Sequence, residues 1–105
     1  MMLMTKELER KIPSIGITAE VKDPMVYAKF FNPLGSWQWF ITEYDPDTKE
    51  CFGFVNGDCA ELGYFSLKEL EELKLQMGLG IERDRGWKAR PLSEVQKLVD
   101  ENGRA

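Results

Sequence analysis

The chain has 105 residues, enough for one domain and too few for a second core. With 43% hydrophobic and 11% aromatic residues it is too apolar for disorder, yet no stretch approaches the ~18 apolar residues of a membrane span. It contains no histidine, which excludes Ser-His-Asp and Cys-His nucleophile systems and leaves only all-thiolate zinc sites.

Thr5 can cap a short helix over residues 5–12, which Pro13 stops. Residues 14–22 are ambiguous, and Asp23-Pro24 punctuates them. Three aromatic, β-rich runs follow at 26–31, 37–44 and 51–56, separated by Asn-Pro-Leu-Gly and Asp-Pro-Asp-Thr-Lys, both with turn chemistry. Asn56-Gly57-Asp58 turns into a fourth run at 60–65. Ser66-Leu67-Lys68-Glu69 then reads as a capping box, with Phe65 and Leu70 as a hydrophobic staple. Leu67, Leu70, Leu73 and Met77 form one apolar stripe, so the spacing predicts a helix over 66–77. A last helix over 93–102 has a weaker box at Ser93 and Gln96 and buries Val95, Leu98 and Val99. Its narrow stripe predicts weak docking or fraying. The expected fold is a single α+β domain over 1–105, an antiparallel meander of three to five strands (about 26–65) with two or three short helices.

Pairing Tyr44 with Glu50 sets Ile41 opposite Gly53 and Trp39 opposite Val55, and a two-residue turn at 56–58 completes the sheet. One face then holds Trp37, Trp39, Ile41, Cys51, Val55, Leu62 and Tyr64. The other holds Phe40, Thr42, Tyr44, Phe52, Phe54, Glu61 and Phe65. A bulge or an odd loop would overturn this register. With both faces apolar, two arrangements are open. The first helix and residues 79–91 can wrap the second face, or part of a face near Trp37 and Trp39 can stay exposed for a partner. Cys51 and Cys59 match no CxxC pattern and fall on opposite faces, so two reduced thiols in a cytoplasmic protein are expected.

The net charge of −4 is uneven: residues 23–73 hold ten Asp/Glu against three Lys, while residues 74–105 hold seven Lys/Arg against five Asp/Glu. An acidic chain has no general attraction to nucleic-acid phosphate. The local exception is Ile-Glu-Arg-Asp-Arg-Gly-Trp-Lys-Ala-Arg, where Arg83, Arg85, Lys88 and Arg90 are candidates for an anion site.

The chain holds the strings Ala28-Lys29-Phe30-Phe31-Asn32-Pro33, Trp37-Gln38-Trp39-Phe40, Thr42-Glu43-Tyr44-Asp45-Pro46, Phe52-Gly53, Glu61-Leu62-Gly63-Tyr64-Phe65-Ser66-Leu67, Ile81-Glu82-Arg83-Asp84 and Pro91-Leu92-Ser93-Glu94. Together they resemble a bacterial family known as domain of unknown function 2958. The resemblance covers about residues 5 to 96. It implies a protein of plasmids, conjugative elements or phages, with an anti-defence role of the antirestriction or anti-CRISPR type. It carries over no catalytic residue.

The leading expectation is a small non-enzymatic, protein-binding accessory module that inhibits or recruits a host protein. Trp37, Trp39, Glu43, Tyr44 and Asp45 are its candidate partner-facing residues, two aromatic anchors beside an acidic rim that suits a basic, nucleic-acid-handling protein. No cofactor, metal or membrane contact is expected, and no tight nucleic-acid binding. Two alternatives remain. One is a single-stranded nucleic-acid binder that stacks bases on Trp37, Trp39 and Tyr64 with the 83–90 cations on phosphates. The other is a metal-dependent hydrolase using Glu43, Asp45 and Glu61.

Overall fold

Two Asx turns convert the middle of the chain into a meander. Asn32 Oδ1 accepts from the Leu34 amide at 2.8 Å, and Asp45 Oδ1 accepts from the Asp47 amide at 2.9 Å. In the computed structural model, which describes residues 2–105, these turns join β2 (Ala28–Phe31), β3 (Gln38–Asp45) and β4 (Glu50–Asn56), and β5 (Ala60–Ser66) follows. With β6 (Glu82–Arg83) they form an antiparallel sheet of order β5-β4-β3-β2-β6. A two-stranded ribbon joins β1 (Met25–Val26) to β7 (Arg90–Pro91). The helices are α1 (Lys6–Lys11), α2 (Leu67–Glu72) and α3 (Leu92–Asn102). This is the expected α+β domain with an antiparallel meander at its centre. The run expected over 26–31 is split at Tyr27, whose amide donates to the Ile41 carbonyl while the chain passes from ribbon to sheet.

Two departures rearrange the expected faces. Trp39 does oppose Val55 and Ile41 does oppose Gly53, but Glu43 then opposes Phe52, leaving Thr42 as the extra residue of a β-bulge. Gly53 permits it, because a Cβ there would overlap the Phe40 carbonyl. Tyr44 therefore pairs with Cys51 rather than Glu50 and joins the face of Trp39 and Ile41. The second departure is the β4–β5 loop. Asn56 pairs with Ala60, so the loop has three residues (57–59) rather than two, and every side chain of β5 changes face. Leu62 and Tyr64 join Phe54 and Phe52, while Glu61 and Phe65 join Val55 and Cys51.

The first face carries the larger core, with Phe30, Trp39, Ile41, Tyr44 and Cys51 under Leu3, Ile12, Leu67, Leu70 and Ile81. The second face buries Val26, Phe40 and Phe54 under Leu92, Val95 and Val99, with Trp87 packed alongside. Fully burying a ring such as Phe30 or Phe40 contributes about 1.5–3 kcal/mol. The expected wrapping is thereby corrected: the α1 region covers the first face. Residues 79–91 run along the β2 edge from one face to the other, Ile81 joining the first core and Trp87 the second.

Thr5 caps α1, accepting from the Leu8 amide, and Ser66 caps α2, accepting from the Glu69 amide at 3.2 Å. However, α2 stops at Glu72 rather than continuing to 77. Leu73 is extended and Leu75 turns into the first core, so Leu73 and Met77 are 43% and 90% exposed. At the second face α3 begins one residue early, and Ser93 is not its cap. Instead Asp23 reaches across, its carboxylate accepting from the Ser93 amide and hydroxyl at 2.9 and 2.6 Å. Gly103, in the left-handed region (φ 79°), ends the helix by donating to the Val99 carbonyl. Buried Asn56 holds the Gly103 carbonyl at 3.0 Å, and Gln38 bonds both the amide and the carbonyl of Ala105. Tied at both ends, α3 docks firmly where its stripe alone predicted fraying.

Candidate partner-binding surface

The five residues expected to face a partner do not share one exposed surface. Trp39 and Tyr44 are core residues, 7% and 3% exposed, because the bulge brings Tyr44 onto the first face that Trp39 already occupies. Burial, with nearby acidic groups, pushes the Tyr44 phenol up to about 12. Trp37 is the exposed one of the pair (38%), its ring 5.8 Å from that of Trp39 and lying over Gly57. Glu43 is buried at 3% exposure. The ambiguous segment 14–22 folds around it, the amides of Gly16 and Thr18 donating at 2.9 and 2.7 Å together with the Thr18 hydroxyl. Burial alone would raise its carboxyl, but these bonds outweigh it and hold the group below the ordinary carboxylate range. Asp45 shapes the β3–β4 turn.

The candidate anion site is divided in the same way. The Arg83 guanidinium donates to the Leu3 carbonyl at 3.2 Å. Arg90 stacks on Trp87 at 4.6 Å and pairs with Glu94 at 3.7 Å. Arg85 and Lys88 point into solvent. For the nucleic-acid alternative, Trp37 and Trp39 lie on the first face and Tyr64 on the second, so the three rings form no stacking row. For the hydrolase alternative, Glu43 is enclosed by segment 14–22, Asp45 by its turn, and Glu61 sits opposite Val55 towards the other end of the sheet. Among the described residues no group of three His, Cys, Asp or Glu is placed to hold a metal. Cys51 is buried, its thiol pushed up to about 12 chiefly by desolvation, and Cys59 is exposed; both are free thiols.

An uncovered apolar surface lies along β5, and of its residues the sequence pointed only to Tyr64. β5 is an outer strand, and α3 covers the second face only as far as Phe40 and Phe54. Beyond it Leu62 and Tyr64 are 48% and 62% exposed, with the Tyr64 ring 4.8 Å from that of Phe52. A cleft of about 340 Å³ between the β3–β4 turn and the end of β5 continues this platform, lined by Asp45, Thr48, Glu50, Tyr64, Phe65 and Ser66. A larger concavity, about 820 Å³, runs along 71–75 and 78–82 and gathers no nucleophile–base pair. The signal for the β5 platform was in the sequence: counting Gly57-Asp58-Cys59 as a three-residue loop puts Leu62 and Tyr64 on the side of Phe52.

A family model described as protein of unknown function (DUF2958) matches residues 3–105, and the chain belongs to that family. No curated protein and no solved structure matches it. No helix of the described residues is long and apolar enough to cross a membrane.

Proposed function

We propose that this member of the family acts by binding another protein, as a non-enzymatic accessory module of a mobile element working in the cytoplasm, with inhibition of a host defence protein as its role. The observation that carries the binding reading is the β5 platform. Leu62 and Tyr64 of the outer strand, with Phe52 of β4 beside them, form a contiguous apolar strip with no helix over it. Exposed aromatic and aliphatic side chains within a polar surround are the usual anchors of an interface. The polar surround here is acidic, with Asp45 and Glu50 at one end of the strand, Asp58 at the other and Glu61 on its opposite face. That composition favours a basic partner and its rapid association. The mobile-element and anti-defence parts of the proposal come from the family resemblance.

The test is capture from lysate of a native host, comparing the wild-type chain with the Leu62→Ser, Tyr64→Ser double variant. Both positions are exposed, so the melting temperature should hold while the captured protein is lost. Equal capture by both chains would overturn the platform as the binding surface.

A further inference from the structure

The β5 platform is bordered by a free backbone edge, and the direction of its hydrogen-bonding groups follows from the ladder. The Leu67 amide donates to the Lys49 carbonyl at 2.9 Å, and Glu50 opposes Ser66. In an antiparallel pair hydrogen-bonded and non-hydrogen-bonded positions alternate. Residues 61, 63 and 65 therefore direct their amides and carbonyls towards β4, whereas Leu62 and Tyr64 direct theirs outwards. No strand of the described chain pairs with that outer side. The residues with outward backbone groups are thus the residues whose side chains make the apolar strip. Between them Gly63 presents no side chain, and a Cβ built there would meet nothing within 4 Å.

Edge strands are usually blunted by short length, lysine, proline or cover. β5 has seven residues and one charge, Glu61, on the face opposite the strip. We infer that β5 receives an extended segment of a basic partner protein as a sixth strand, antiparallel to it. This inference rests on the protein-binding reading and specifies how the same surface works. The added strand bonds the backbone of Leu62 and Tyr64, lays alternate apolar side chains beside theirs, and directs the intervening residues to the side of Glu61. Charge selects the occupant. Residues 43–72 hold nine Asp/Glu against Lys49 and Lys68, so a basic segment is attracted where a second copy of this chain would bring acid against acid.

The probe is a labelled eight-residue peptide alternating lysine and valine, titrated into the full chain by fluorescence anisotropy. Its counterpart has glutamate for lysine. The lysine peptide should bind at least about tenfold more tightly and slow exchange of the Leu62 and Tyr64 amides. Because valine must lie beside Leu62 and Tyr64, N-methylation of the valine amides should abolish binding. The same modification of the lysine amides should leave it within about twofold, since those amides point away from β5. Leu62→Pro removes one outward donor and leaves the β4 ladder intact, so it too should abolish binding. Absence of binding, or binding that protects other amides, overturns strand addition, while selective capture by the apolar strip would still support the broader reading. Equal effects of the two methylation patterns also overturn it. Doubling of mass with Leu62 and Tyr64 protected before peptide is added replaces the basic partner with a second copy.

Discussion

β6 ends the five-stranded sheet with two residues, Glu82 and Arg83, whereas β5 ends it with seven. The short edge is tied down. Arg83 bonds the Leu3 carbonyl, the Asp84 amide bonds the Lys29 carbonyl, and Lys29 pairs with the Asp84 carboxylate at 3.7 Å. Charges of both signs and crossing segments leave a neighbouring chain nothing to extend. The long edge lacks these features along Leu62, Gly63 and Tyr64. The sheet order alone does not distinguish the two sides. What separates them is where the chain places its charged and crossing segments, and in this fold they are concentrated at β6.

Substitutions can break or sharpen this contrast, and the largest effect is expected in the strands common to both sides. Gly53→Ala should destabilise by about 3 kcal/mol in urea melts, because the new methyl meets a backbone carbonyl that cannot move aside. It should also loosen β5 more than β6, seen as faster amide exchange in β5. Glu43→Gln should cost about 2 kcal/mol at neutral pH by weakening charge-assisted bonds to Gly16 and Thr18. The Glu43 carboxyl is depressed below 4.5, so its contribution is present above that value and lost as pH falls through the folded-state value. The variant and wild type should therefore converge in acid; a constant difference from pH 7 to pH 3 would contradict this. Smallest is the direct comparison of the edges. Arg83→Ala should cost about 1 kcal/mol through the lost Leu3 bond, and Tyr64→Ser should change stability by less than about 0.5 kcal/mol. If Tyr64→Ser proves the more costly, the β5 strip belongs to the core of the monomer.

The sequence made legible what depends on local chemistry. Thr5 and Ser66 cap helices through their side chains, the Asx turns sit at Asn32 and Asp45, and Trp39–Val55 and Ile41–Gly53 pair as their spacing requires. What stayed hidden depends on distant partners. The bulge at Thr42 arises where the Phe40 carbonyl crowds Gly53, a contact between strands. Glu43 reads as a surface acid until residues 14–22 close over it. Helix α3 reads as weakly held until Asp23, Gln38 and Asn56 are seen at its ends. The candidate surface moved for a local reason instead, one residue in the count of the β4–β5 loop, which carried Leu62 and Tyr64 to the other face.

The clasp on α3 bears on the order of assembly. Gln38 meets Ala105 across 67 positions of sequence and Asp23 meets Ser93 across 70, whereas β3, β4 and β5 are joined by short loops. Closing a long loop costs more chain entropy than closing a hairpin, and long-range contacts slow folding. We expect the meander to gain protection first and the second face to be sealed last. In pulse-labelled refolding, amides of β4 should be protected before those of α3, and simultaneous protection would contradict that order. Until α3 arrives, Phe40 and Phe54 stay open to water beside the already exposed Leu62 and Tyr64. During that interval the apolar surface vulnerable to self-association is at its widest.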